Sequence, residues 1–94
     1  MFVRVTRGRM DPARFDEARG ITPDIGRAIK ALPGCQSYVN AGDRAAGTTI
    51  TITTWDTREH AMFSRNETLA GVMARLQALG TQLDAPEIYE SFPE

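Results

Sequence analysis

Cysteine is almost missing from this sequence. A single Cys35 among 94 residues excludes an internal disulfide, and together with the one histidine, His60, it cannot furnish a zinc site. Lysine is as scarce, Lys30 standing alone beside ten arginines, and neither sign of charge is in excess: 11 basic residues face 12 acidic ones, for a formal net charge of −1. Nucleic-acid binders need a basic face that displaces counterions from phosphates, whereas Arg4, Arg7 and Arg9 are followed at once by Asp11, Asp16 and Glu17, so no nucleic-acid partner is expected. No apolar run approaches the roughly 18 residues of a membrane-crossing helix, and Met1-Phe-Val-Arg4 lacks the apolar core of a secretory leader. These absences, with the lack of paired cysteines, predict a cytoplasmic protein. Aromatic residues make up only 7%, so any site for a flat ligand must draw on a few rings.

What is present is the composition of an ordinary globular protein, 41% hydrophobic and 24% charged. Residues 1–94 are expected to form one domain. A chain of this size buries only about 60 to 65% of its unfolded surface, so a deep private site competes with the core for the same apolar side chains. A cavity is more easily kept where a second subunit shares the task of burial.

Phe2 to Arg9 alternates with a period of two, which predicts a half-buried strand. Asp11-Pro12 then opens a helix, Asp accepting free backbone amides and Pro taking a position that needs no amide partner. Phe15, Ala18, Ile21, Ile25, Ala28, Ile29 and Leu32 keep a helical spacing, while Gly20 and Thr22-Pro23 predict a kink or restart. Pro33-Gly34 ends the segment. Cys35–Ala41 and Thr48–Trp55 read as strands joined by a polar turn, a hairpin. Asp56 and Glu59 have the offset of a capping box, ahead of a helical stripe of Leu69, Val72, Met73, Leu76 and Leu79, with a break near Asn66. Gly80 stops it, and Pro86 to Phe92 supplies a last strand with Ile88 and Phe92 inward. The predicted class is α+β: a ferredoxin-like β-α-β-β-α-β unit with an antiparallel four-stranded sheet.

In that order both helices cover one face of the sheet and leave the other open. Four strands about 4.8 Å apart and roughly 18 Å long expose on the order of 350 Å², near the size of patch that marks an interaction site, so a homodimer through the open face is expected. Strand parity separates Val3, Val5, Val39, Ile50, Ile52, Ile88 and Phe92 from a second set containing Phe2, Arg4, Thr6, Tyr38, Asn40, Thr49, Thr51, Thr53, Trp55, Glu87 and Tyr89. The apolar set is expected to face the helices, provided no bulge intervenes.

The run Leu32-Pro-Gly-Cys-Gln-Ser-Tyr38, then Ile50-Thr-Ile-Thr-Thr-Trp-Asp-Thr-Arg-Glu-His60, then Pro86-Glu-Ile-Tyr-Glu90 resembles the antibiotic biosynthesis monooxygenase (ABM)-like members of the dimeric α+β barrel superfamily. The likeness covers nearly the whole chain and rests on combined order and spacing. It implies a dimeric α+β barrel in which two sheets pack together, with a pocket between sheet and helices in each subunit, and cofactor-independent oxygen chemistry on anthrone-type polyketides or quinols. Trp55 matches a tryptophan of the polyketide oxygenases and haem degraders, and His60 a histidine of some quinol-oxidising relatives. Thr51 stands where the polyketide oxygenases have an asparagine. Val5 or Arg7, and Arg65, stand where haem degraders have an asparagine and a histidine, which argues against haem.

The candidate chemistry follows from few groups. His60, in the first turn of the second helix, is the only imidazole and the candidate general base. Trp55 and Tyr38 are candidates to hold a planar substrate, Tyr89 to donate a hydrogen bond and Arg4 to stabilise a phenolate, with Thr51 and Thr53 as wall hydroxyls. The plain alternatives are a dimer interface for the aromatics, with Arg4 paired to Glu87 or Glu90, and an exposed His60 with no role. Met62 and Met73 are expected in the core. The expected function is a cofactor-independent monooxygenase of a small phenolic, quinol or polyketide-like substrate, needing no metal. The competing classes are a non-catalytic barrel binding a small ligand or a protein, and an oxygen-independent isomerase or lyase using the same pocket.

Overall fold

The alternating segment at the start of the chain forms the central strand β1 (Phe2–Arg9), as its β-branched residues favour. The structure is a computed structural model and describes residues 1–93. Asp11 accepts the amide of Ala13 and opens a short 3₁₀ turn, Pro12–Arg14, which leads straight into α1 (Phe15–Lys30). The expected kink at Thr22-Pro23 is absent, and α1 runs through Pro23 as one helix. Proline supplies no amide for the carbonyl of Arg19, and the Thr22 hydroxyl donates to that carbonyl instead, at 2.9 Å. Gly34, at φ 79°, makes the left-handed turn into β2 (Cys35–Asp43).

Strand β2 pairs with β3 (Thr48–Trp55), and β3 with β1, both antiparallel. The second helical region is two helices, α2 (Arg58–Ala61) and α3 (Glu67–Ala78), broken where the sequence suggested. Thr57 rather than Asp56 caps α2, its hydroxyl accepting the amide of His60 at 3.1 Å, and Asn66 caps α3 by accepting the amide of Leu69 at 2.8 Å. The last strand is split. β4 (Gln82–Leu83) pairs with the end of β1, and β5 (Glu87–Glu90) with its beginning. Between them the amide of Asp84 still donates to the carbonyl of Arg7, at 2.8 Å, but Pro86 has no amide to continue the ladder. The sheet order is β2-β3-β1-β4, with β5 also on β1, the antiparallel α+β arrangement expected; the sheet is open, not closed into a barrel.

The parity assignment is reversed in β1, β2 and β3 and holds on β5, where Ile88 faces the helices and Tyr89 does not. Trp55 is fully buried and Thr53 is 2% exposed, both on the face that packs under α1 and α3. Register places Phe2 opposite Trp55, Arg4 opposite Thr53 and Thr6 opposite Thr51, with Tyr38 and Asn40 beside Thr53 and Thr51. The open face carries Val3, Val5, Val39, Ile50 and Ile52. A bulge between Cys35 and Ser37 shifts the register at the start of β2, so Gln36 is extra. On β5, Arg4 pairs with Ile88 and Val3 with Tyr89, which leaves Ile88 under the helices and Tyr89, 53% exposed, on the open face. Phe92 is 91% exposed and lies outside the strand, and Met62 is exposed too; neither is in the core, whereas Met73 is. The core gathers Ile21, Ile25, Ile29, Leu69, Met73 and Leu76 from the helices around Trp55.

Candidate functional site

Between the sheet and the helices the packing stops short of closing. A cavity of about 430 Å³ remains there, a size at which small-molecule sites are common. Its helix wall is aliphatic, with Ile25 and Ile29 from α1 and Leu69, Met73 and Leu76 from α3. Its sheet wall is polar, with Thr6, Asn40, Thr49, Thr51 and Thr53. Alternation produces this wall directly, because side chains at positions i, i+2 and i+4 share a face.

Two of these hydroxyls are already engaged as acceptors. The indole Nε1–H of Trp55 donates to Oγ1 of Thr53 at 2.8 Å, and Nδ2 of Asn40 donates to Oγ1 of Thr51 at 2.7 Å. Each threonine then keeps its own O–H to donate. Neighbours on one face of one strand, the two form a donor pair suited to an oxygen that gains negative charge.

At one end Arg4 and Phe63 border the cavity. The Phe63 ring is tilted against Trp55, with ring centroids 5.1 Å apart, and the guanidinium of Arg4 sits 4.2 Å from the centre of the Phe63 ring. Nη1 of Arg4 donates to the carbonyl of Ala61 at 2.8 Å, so the arginine ties β1 to the end of α2. Its expected partners were Glu87 and Glu90, but Glu87 pairs with Arg7 at 3.1 Å, and the hydroxyl of Tyr89 donates to the other Glu87 oxygen at 2.8 Å. Burial, with the charge of Arg65 added, holds Arg4 below the ordinary arginine range.

The structure therefore brings Arg4, Thr51 and Thr53 together on the cavity, with Trp55 behind them as the residue that positions Phe63 and Thr53. Tyr38 packs on α1, its ring against Gly26, where a Cβ would collide with it. Its hydroxyl is buried without a partner and burial raises its pKa, but it does not line the cavity. Tyr89 is on the far face of the sheet. His60 is also away from the cavity: Nδ1 lies 2.6 Å from Oδ1 of Asp56, and both side chains press on the turn at Gly34. That contact, with the Asp56 amide donating to the Gly34 carbonyl at 3.0 Å, fixes the Pro33-Gly34 turn where β2 begins. The hydrogen bond from His60 holds the Asp56 carboxyl below its usual range.

Sequence reading did not select Phe63, Arg65, Arg19 or Thr81, all of which line the cavity. The signal available was only the helix break near Asn66, which places Phe63 and Arg65 in a connecting loop. Nothing in the pattern showed that this loop folds back over β1.

No protein-family model matches the sequence, and no curated protein matches it. Solved structures do. A candidate antibiotic biosynthesis monooxygenase from Deinococcus radiodurans superposes with a TM-score of 0.80 at 18% identity, over 100% of this chain and 95% of that one. Another from Nitrosomonas europaea gives 0.79 at 12% identity, over 99% and 100%. SnoaB, a cofactor-independent oxygenase from Streptomyces nogalater, gives 0.76 at 14% identity, over 99% and 94%. With this strand order, both long helices on one face, and neighbours alike over nearly their full lengths, the chain has the fold of the antibiotic biosynthesis monooxygenase-like proteins.

Proposed function

We propose that the protein is a cofactor-independent monooxygenase that acts on a small phenolic, quinol or polyketide-like molecule held between the sheet and the helices. The observation that carries this reading is the two-sided cavity, aliphatic on the helix side and lined on the sheet side by Thr51 and Thr53, whose remaining protons are free to donate. A flat molecule with an oxygen on one edge fits such walls. Loss of a proton from an acidic C–H or O–H next to the ring gives an electron-rich anion, whose oxygen the two hydroxyls stabilise. The aliphatic wall excludes water from that anion and strengthens the contacts to it. The anion then reduces O₂: one oxygen atom enters the substrate, the other leaves as water, and the substrate supplies the electrons. The likeness to SnoaB supports the reaction class. His60 serves in this reading as a positioning residue for the Gly34 turn rather than as the base, because it does not reach the cavity; the proton passes to solvent.

The working form is a homodimer closed through the open face of the sheet, supported by the exposed Val39 and the half-buried Val3, Val5, Ile50 and Ile52, over which no described helix lies. Residues 1–94 act as one domain in the cytoplasm. No described helix is long and apolar enough to cross a membrane.

The second reading is a non-catalytic ligand binder, favoured by the absence of any carboxylate, imidazole, thiol or phenol among the described lining residues. Oxygen consumption with a panel of quinols and anthrones decides between them. Uptake matched to product supports the oxygenase. Ligand-induced thermal stabilisation without oxygen uptake selects the binder, and product formed anaerobically selects an isomerase or lyase.

A further inference from the structure

The charge of the cavity is one-sided. Its ionisable lining side chains are Arg4, Arg19 and Arg65, with no acid among them. Of the seven arginines elsewhere, five are matched, Arg7 with Glu87, Arg9 with Asp84, Arg44 with Asp16, and Arg27 and Arg75 with Asp24, while Arg14 and Arg58 are exposed and in no ion pair among the described residues. The three around the cavity have no acidic partner among the described residues. For Arg4 this matters most, because it is half-buried against Phe63 and is repelled by Arg65. A cation drawn out of water without a counter-ion is held at a cost that an anion in contact would offset.

A separate observation points the same way. Thr81 is 8% exposed and lines the cavity, and its Oγ1 is buried without a hydrogen-bond partner. Buried hydroxyls are ordinarily satisfied, so this one awaits a polar group from outside the chain.

We propose that the molecule this cavity takes carries a carboxylate besides its ring system, with the carboxylate held by Arg4 and Arg65 and the rings laid against Ile25, Ile29 and Leu76. The proposal rests on the cavity being the ligand site and not on oxygen chemistry. A carboxylate is chosen over a phenolate for two reasons. At pH 7 a carboxylic acid with a pKa of about 4 arrives already ionised, whereas a phenol near 10 arrives neutral and must first give a proton to solvent before it carries a charge for the arginines. A guanidinium fork also matches the two oxygens of a carboxylate.

The test is calorimetric titration of the whole protein at pH 7 with 2-naphthoate and with its neutral counterpart 2-naphthalenemethanol. Naphthoate is expected to bind about tenfold tighter or better, with the preference shrinking in about 0.5 M salt. Arg65→Gln, at an exposed position, and Arg4→Gln are each expected to cut the preference to about threefold or less. Lys30→Gln, which removes a positive charge outside the cavity, is expected to keep it. If Arg4→Gln does not fold, Arg65→Gln alone decides. Equal binding of the two probes overturns the proposal, as does a preference that survives Arg65→Gln or is lost in Lys30→Gln. Turnover of a neutral quinol with no advantage for naphthoate overturns the carboxylate and spares the oxygenase; a clear naphthoate preference with no oxygen uptake on any phenol, quinol or anthrone does the reverse.

Discussion

Along β3, Ile50, Ile52 and Thr54 point to one side of the sheet while Thr49, Thr51, Thr53 and Trp55 point to the other, so one strand builds two surfaces of opposite character. The side under the helices has a polar centre. It holds threonines, Asn40 and Arg4 around a cavity, with Trp55 fully buried at one end. The bare side has an aliphatic centre, Val3, Val5, Val39, Ile50 and Ile52, with Val39 57% exposed, flanked by the Arg7–Glu87 pair and the Ser37–Thr54 hydrogen bond. In a single layer of sheet and helices the apolar face would be expected inward. Here the inner face lines a cavity, and the outer face leaves aliphatic side chains without a helix over them.

Substitutions on the two faces can separate those roles. The largest effect belongs to Trp55→Ala, which removes a large, fully buried side chain and unseats Phe63 and Thr53; a loss of about 3–5 kcal/mol in denaturant-induced unfolding is expected. A loss below about 1 kcal/mol would contradict the packing of this end of the core. Next is Ile52→Asp, which places charges face to face across a dimer of open faces. It is expected to leave the circular dichroism spectrum intact and weaken self-association by about 100-fold, roughly 2.7 kcal/mol, measured by light scattering. An unchanged mass would remove the interface assignment.

Its sequence neighbour gives the contrast. Thr53→Val keeps the shape but strips the acceptor from the Trp55 indole and a donor from the cavity, so it is expected to destabilise by about 1–3 kcal/mol and to lower kcat without changing the dimer. A variant with normal turnover would discount the threonine donor pair.

The smallest effect lies away from both faces. The Asp56 carboxyl is held below its ordinary 3.8 by His60, so the stabilisation is fully present above that value and lost as pH falls through the lower folded value. Melting curves between pH 2 and 5 are expected to show a shallower acid decline in Asp56→Asn, with Asp16 and Glu87, whose pKa values are also lowered, carrying the remainder. His60→Ala is expected to change stability slightly and turnover less than Thr53→Val does. A larger loss of turnover in His60→Ala, in a folded protein, would return the histidine to the role of base.

Much of the fold was legible because its signals are local. The β-branched run Thr48–Trp55, the Leu69 to Leu79 stripe and the Gly34 turn each act within a few residues. Pro23 was misread for the same reason that it is tolerated: a neighbouring hydroxyl replaced the missing donor, and such a replacement has no periodic signature. The site was half legible. Arg4, Thr51 and Thr53 share a face by parity alone, whereas Phe63, Arg65 and Thr81 join them only because loops return over the sheet.

The sequence by itself determined the order of elements and the division of the strands into two sets of side chains, since both follow from the backbone periods of 2 and 3.6 residues. Which set faces the helices was decided only by the tertiary structure. Alternation is symmetric between the two faces of a strand, and the usual rule of apolar inward fails when the interior holds a cavity and the exterior keeps an aliphatic centre. Placing α1 and α3 over Thr51, Thr53 and Arg4, rather than over Ile50, Ile52 and Val5, turned a row of β-forming threonines into the wall of a cavity.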